Sequence, residues 1–272
     1  MSSTPRQRYL MCPPDYFTVS YVINPWMAGN LDGVSAEAAR AQWQRLHDLI
    51  SEHAAVELIA PQPGLPDMPF TANAGIIWND RFVLSRFRHP ERQREERHFE
   101  DWFATNNFEV LKLPAHVPFE GAGDALVDPE GRFLWTGYGH RSTRESQAYL
   151  ADWLGLEAVA LRLVDERFYH LDTCLCPLAR GYLLYYPAAF SEDSQELISR
   201  RVSVEKRIAV GEEDALGFAC NALNIDRLII LNRASEELCR RLGAAGFEVV
   251  QTEMNEFIKA GGAAKCLTLR LQ

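Results

Sequence analysis

The chain has 272 residues, 47% of them hydrophobic, and a formal net charge of −9, a size that suits one large domain or two small ones. Affinity for a nucleic-acid backbone comes from Lys and Arg, so this acidic balance disfavours a nucleic-acid partner. No apolar run approaches the roughly 20 residues that span a bilayer, and the N-terminal stretch MSSTPRQRYLMCPPDYF lacks the continuous apolar segment of a signal peptide, which predicts a soluble, cytoplasmic protein with no membrane partner.

In chain order, the first strand-like segment is TVSYVINPWM, carrying Asn24. The stretch AEAARAQWQRLHDLISEH places Ala39, Trp43, Leu46 and Ile50 on one stripe with Ser35 as N-cap, and predicts a helix. MPFTANAGIIW, carrying Asn73, runs into an Asn79-Asp80 turn and a second strand, RFVLSRF. ERQREERHFEDWFATN predicts a charged helix with Phe99, Trp102 and Phe103 inward. VPFEGAGDALV, carrying Glu120, is followed by a Pro129-Glu130-Gly131 turn and the strand RFLWTGY. A helical pattern, TRESQAYLADWLG, precedes RFYHLDTCLCPL, which carries His170. SEDSQELISRR resembles a fourth helix, and GFACNALNIDRLIIL brings Asn221. SEELCRRLGAAG ends in a glycine-rich stop, and AGGAAKCLTLRL carries Cys266.

Six segments thus recur at a spacing of roughly 45 to 50 residues, with helices between them, and a unit repeating about five times argues for one closed α/β domain over residues 1–272. If the units wrap a pseudo-symmetry axis, equivalent positions meet at one end of it, and Asn24, Asn73, Glu120, His170, Asn221 and Cys266 share one cleft. The residues that recur are a carboxylate, an imidazole, a thiol and amides. A thiol needs a base or positive surroundings to become a thiolate, and an imidazole needs a carboxylate to orient it. Cys266, His170 and Glu120 supply those three parts, and Gly261 and Gly262 allow a tight approach to a ligand. The other cysteines (12, 174, 176, 220 and 239) read as small buried thiols. Cys174 and Cys176 would share one face of a strand, but no second pair completes a metal framework.

Three motifs, Phe119-Glu120-Gly121-Ala122-Gly123-Asp124, Tyr169-His170-Leu171-Asp172-Thr173 and Gly261-Gly262-Ala263-Ala264-Lys265-Cys266-Leu267-Thr268, occur in the order and spacing of the guanidino-group-modifying enzymes, which the chain resembles from about Cys12 to its end. These are the arginine deiminases, dimethylarginine dimethylaminohydrolases and amidinotransferases. The resemblance implies a five-fold pseudosymmetric α/β propeller, the pentein fold, of ββαβ-type units. It implies Cys266 as nucleophile, His170 as general acid/base and Glu120 as its carboxylate partner. Asp172, two residues after His170 and so on the same face of a strand, matches the position that grips the guanidinium. Arg92 and Arg141 match arginines that bind the amino-acid end of the substrate, although each also reads as a solvated charge. Asp67 matches an aspartate near the substrate in the dimethylarginine enzymes.

At Asn73 the chain departs from the deiminases, which have aspartate there. Asparagine at this position, with Val22-Ile23-Asn24-Pro25-Trp26-Met27, resembles the arginine dihydrolases, in which asparagines at the Asn24 and Asn73 positions are associated with a second hydrolysis. The function this implies is hydrolysis of arginine to ornithine, ammonia and carbon dioxide through a thiouronium intermediate. No metal or organic cofactor is required, the partner is the small-molecule substrate, and a homo-oligomer is compatible. Single-step hydrolysis of dimethylarginine or another guanidine, and amidino transfer, are alternatives within the same chemistry. A ribosome anti-association factor on the same fold is the non-enzymatic one.

Overall fold

A computed structural model describes residues 7–271; residues 1–6, where the N-terminal stretch begins, and residue 272 lie outside the described residues. The chain forms five three-stranded sheets, each built the same way. In the second sheet, Gly75–Trp78 pairs antiparallel with Arg81–Leu84, which pairs parallel with Glu109–Lys112. A parallel neighbour needs a crossover, and here the helix Glu96–Thr105 supplies it. The third sheet repeats this with Ala125–Val127, Phe133–Tyr138 and Glu157–Arg162 around the helix Ser146–Leu154. Leu175–Leu178, Tyr182–Tyr185 and Arg207–Ala209 form the fourth with the helix Glu192–Arg201. Leu223–Ile225, Leu228–Leu231 and Glu248–Gln251 form the fifth with Glu236–Ala244.

The first sheet closes the ring. Arg8–Met11 pairs parallel with Ala55–Leu58 across the helix Ala36–His53, and antiparallel with Leu269–Arg270 from the other end of the chain. Six sequence segments therefore yield five units, because the last one completes the first sheet. TVSYVINPWM is not a strand: it runs as irregular chain into a short 3₁₀ turn, Pro25–Met27, and RYLM takes the strand position.

The Ala36–His53 helix has the predicted bounds. Ser35 Oγ accepts from Ala38 N, and Ala39, Trp43, Leu46 and Ile50 are buried. Ser191 and Ser235 cap the fourth and fifth helices in the same way. The pattern 91–106, expected as one helix, splits into Pro90–Gln93 and Glu96–Thr105. Glu95, between the two, turns inward, and Trp102 is only half-buried. No helix of the described residues is long and apolar enough to cross a membrane.

Immediately before the first strand of each unit the chain makes a tight turn. These are the 3₁₀ turns Thr71–Ala74, Gly121–Gly123 and Leu171–Thr173, with the turns around 217–221 and 264–267. The five meet around the axis and bond to one another in sequence. Ala72 N–H donates to Cys266 O (3.1 Å), Cys266 N–H to Asn221 Oδ1 (3.2 Å), Asn221 Nδ2 to Asp172 O (3.0 Å) and Leu171 N–H to Asp124 Oδ1 (3.0 Å). Gly121, at φ +62°, closes the circle against Ala72 and Gly75, where a Cβ would meet Gly75 N at 2.7 Å. Of the six recurring residues, Asn73, Asn221 and Cys266 stand on these turns and Glu120 and His170 immediately precede theirs, whereas Asn24 precedes the separate turn Pro25–Met27; Asn24, Asn73 and Cys266 line one cavity.

Candidate active site

Cys266 is buried in the last turn, and Asn221 holds it there. The Asn221 amide donates to Cys266 Sγ (3.0 Å) and accepts from the Ala263 and Cys266 N–H groups (3.0 and 3.2 Å). Asp172 faces the thiol from the fourth unit, its two oxygens 3.6 and 3.5 Å from Sγ. Burial pushes the Cys266 thiol well above its usual pKa and the Asp172 carboxylate pushes it further, while Lys265 and the Asn221 bond pull the other way. Burial also raises Asp172 to about 6, opposed by Lys265, Cys266 and Asn221. The carboxylate disfavours the neighbouring thiolate, so a cation bound between the two would help both to ionise.

His170 belongs to a second cluster. Its Nε2 lies 2.7 Å from Glu120 Oε2, and Arg141 Nη1 donates to the same oxygen at 2.9 Å. Burial alone would raise the Glu120 carboxyl, but the Arg141 guanidinium and the His170 bond hold it well below the usual carboxylate range. His170 Nδ1 is buried and has no partner among the described residues. Glu120 precedes its 3₁₀ turn without capping it, so its side chain is free for this role. His170 and Asp172 were expected on one face of a strand. They lie instead at and within the 3₁₀ turn Leu171–Thr173, whose tighter winding sends His170 toward Glu120 and Asp172 toward Cys266.

The arginines are not solvated charges. Arg92 and Arg141 are each 3% exposed. Arg92 donates from Nε and Nη2 to the two oxygens of Glu95 (2.9 and 2.8 Å), from Nη1 to Asn73 Oδ1 (2.8 Å) and from Nη2 to Asp67 O (3.2 Å). Burial disfavours its charge, yet Glu95 more than compensates and holds its pKa above the ordinary arginine value. Guanidinium groups only donate, so the Arg92 bond fixes which end of the Asn73 amide is oxygen. Asn73 Nδ2 is thereby turned away from Arg92, buried and without a partner among the described residues. Gly123 lies against both Nδ2 and the His170 ring: a Cβ there would collide with the amide and come within 3.3 Å of His170 Nδ1.

Asp67 accepts from Tyr21 Oη (2.8 Å) at Oδ2, and its Oδ1 has no partner among the described residues. Asn24 caps the Pro25–Met27 turn and donates to Ala260 O (3.0 Å), which ties the irregular loop over the mouth. Cys266, Asn73, Asp67, Arg92, Arg141 and Asn24 line one cavity, with Phe70 and Tyr169 among its walls. Gly261 and Gly262 serve protein neighbours. A Cβ on Gly261 would meet Tyr169 Oη at 2.7 Å, and one on Gly262 the Phe70 ring at 2.6 Å. All six cysteines are free; Cys12, Cys174, Cys176 and Cys220 are buried as expected, whereas Cys239, on the helix Glu236–Ala244, is only half-buried. Cys174 lies before its strand, with Sγ toward Leu171 O, whereas Cys176 on the strand turns toward Ala222 O.

Sequence reasoning missed Glu95, Tyr21 and Asp124 as members of this site, and placed Asn221 in the repeat without giving it a role. Glu95 sits in a run of charges that looks solvated, and only its partner three residues earlier marks it as internal. Removing that partner should show the dependence. Glu95→Ala leaves the buried Arg92 cation only the longer pairing with Asp67 Oδ2 at 3.8 Å, and should cost about 3 kcal/mol of unfolding free energy; a loss below about 1 kcal/mol in denaturant titration would mean that Asp67 suffices as counter-ion.

Residues 26–272 match the model of the family described as N,N dimethylarginine dimethylhydrolase, eukaryotic. The chain is 58% identical to the bifunctional arginine dihydrolase/ornithine cyclodeaminase AgrE of Nostoc sp., over 98% of this chain, yet it spans only 38% of that protein's length. It is 42% identical to the N(G),N(G)-dimethylarginine dimethylaminohydrolase of Mycobacterium tuberculosis, over 98% of this chain and 87% of that one. The N-terminal domain of ArgZ, solved bound to substrate and described as an arginine dihydrolase, superposes with a TM-score of 0.97 at 57% identity, covering 98% of each chain.

Proposed function

The chain belongs to the N,N-dimethylarginine dimethylhydrolase family, and on that premise we propose that residues 1–272 act as one catalytic domain that hydrolyses L-arginine twice, to ornithine, two ammonia and carbon dioxide. The observation that carries the second hydrolysis is the buried, unpartnered Nδ2 of Asn73 beside His170. An aspartate would only accept hydrogen bonds and would favour a cation, so the neutral ureido product would leave readily. The amide donates to a ureido oxygen and keeps that product in place for a second attack.

The guanidinium binds against Asp172, whose carboxylate accepts its N–H groups in pairs. Its charge favours the Cys266 thiolate, which adds to the guanidinium carbon. The tetrahedral adduct expels ammonia as His170 delivers a proton, and leaves an S-alkylthiouronium. Water, deprotonated by His170, adds to that carbon and the thiolate departs, giving citrulline. In the second cycle the thiolate attacks the ureido carbon and a second ammonia leaves. Hydrolysis of the resulting thiocarbamate gives a carbamate that loses carbon dioxide. Thiolate and water supply the nucleophiles and the imidazole moves the protons, so the cycle asks for no metal or organic cofactor.

At the amino-acid end of the substrate the two arginines differ. Arg92 uses four of its five N–H groups, two on Glu95 and one each on Asn73 and Asp67 O. Arg141 uses two, on Glu120 and Ile23 O. Arg141 is therefore the better partner for the substrate carboxylate, and Arg92 mainly orients Asn73. Asp67 Oδ1, an acceptor without a donor, suits the α-ammonium group.

Incubating the protein with arginine while following citrulline and ornithine tests this. The expected end products are ornithine and two equivalents of ammonia. Asn73→Asp should release citrulline, with ornithine formation down roughly 10- to 100-fold, the value of one hydrogen bond to a polar transition state. Citrulline as the sole product of the unaltered protein would refute the double hydrolysis and leave the single one standing.

A further inference from the structure

The Glu120–Arg141–His170 cluster draws its three members from three separate turns, and one buried carboxylate is linked, directly or through Ser142, to the backbone beside all three. Asp124 accepts from the Ser142 N–H at 3.2 Å and the Ser142 hydroxyl at 2.6 Å through Oδ2, and from the Leu171 N–H at 3.0 Å through Oδ1. Ser142 Oγ in turn accepts from the Glu120 N–H at 3.0 Å. Ser142 follows Arg141, Leu171 follows His170, and the Glu120 link is to its own amide. Each bond thus fixes the main chain at, or one residue from, a member of the cluster. Asp124 and Ser142 are each 2% exposed, so water does not substitute for either.

We infer that Asp124, acting through Ser142 and the Leu171 amide, is the positioning residue that sets His170, Glu120 and Arg141 in register for proton transfer. The inference rests on the reading of His170 as the acid/base group, and it assigns Asp124 no contact with substrate. Its geometry has a chemical signature. Every group that meets the Asp124 carboxylate is a donor, so the site needs acceptors on both oxygens. An isosteric amide would set an N–H against either Ser142 or Leu171, leaving two donors opposed. Burial raises the Asp124 carboxyl to about 6, against the pull of His170, Ser142 and Leu171 N–H. The titratable groups facing it are His170 and Glu120.

A positioning role separates from a structural one by which step suffers. Attack of Cys266 on a small amidinium alkylator needs only the thiolate and Asp172, whereas turnover needs His170 in place. For Asp124→Asn, kcat for arginine should fall about 100-fold, KM should stay within about 3-fold, and Cys266 labelling by 2-chloroacetamidine should keep its rate within about 3-fold. Ser142→Ala removes one acceptor and one donor and leaves both N–H bonds to Asp124. It should cost about 5- to 10-fold in kcat with the same split, and covers the case in which Asp124→Asn does not fold. Wild-type kcat in both variants, or equal losses in kcat and labelling, would overturn the inference. An unaltered protein that labels but does not turn over arginine would instead count against the hydrolase reading.

Discussion

Cys266→Ala is expected to lower arginine turnover by about 10⁴-fold or more, because the variant has no nucleophile to open the covalent route. Arginine should still bind, since Asn73, Asp67 and Arg141 owe nothing to the sulfur for their positions, and Asp172 loses only its long contact with Sγ. The Asn221 amide also loses a contact, and it keeps its bonds to Asp172 O and to the backbone amides of residues 263 and 266. Turnover assays and calorimetric titration with arginine check the two halves separately. Residual activity above about one part in a hundred would mean that another group attacks, beyond the non-covalent catalysis such sites retain. Three of the four other buried thiols point to backbone carbonyls instead. Cys174 turns toward Leu171 O, Cys176 toward Ala222 O and Cys12 toward Pro13 O.

Asp172→Asn should be nearly as damaging, by roughly 10²- to 10³-fold in kcat/KM, the loss of a charge-assisted pair to the guanidinium. The carboxyl carries its charge only above its pKa. With that pKa at about 6 in the free protein, kcat/KM for a cationic substrate should fall as the pH drops through 6 and level off above it. The asparagine variant should lose that acid limb. It should also lose the preference of Cys266 for a cationic amidine over a neutral alkylator of similar size. The thiol sits well above its ordinary pKa, so a neutral reagent meets little thiolate at neutral pH, whereas a cation brings the charge that ionises it. An unchanged acid limb in the variant would assign that limb to another carboxyl, with Asp124 at about 6 the first candidate.

Much of this architecture is written locally in the chain. The helix Ala36–His53 could be read to the residue because its apolar stripe and its Ser35 cap are both short-range signals. The hairpin at Asn79 was legible for the same reason, as the residue takes a left-handed φ of 55° between two β-rich runs. Arg8–Met11 was not, because four residues before Pro13-Pro14 show too little alternation to mark a strand. What makes RYLM a strand is the pairing on both its sides, with segments far along the chain.

The site divides in the same manner. Cys266, His170 and Glu120 stood out through recurrence and motif. The burial of Arg92 and Arg141 did not, since a charged residue looks alike in sequence whether it meets water or a carboxylate. Arg141 meets Glu120 from 21 residues away and from a different turn. The partition of His170 and Asp172 to opposite neighbours depended on a 3₁₀ turn where strand periodicity was expected, and a three-residue turn has no periodicity to read.

The sheet that joins Arg8–Met11 to Leu269–Arg270 ties chemistry to the folding history of the chain. A growing polypeptide can complete four of its sheets in order, but the first waits for the last strand, and Cys266 arrives with that strand. Closing so long a loop is the slow, entropically costly event in a ring of this kind. On the proposed role of Cys266, a partial ring would hold the binding carboxylates without the nucleophile, and a chain truncated before Cys266 is expected to show no arginine turnover. On that reading, catalytic competence waits for completion of the ring.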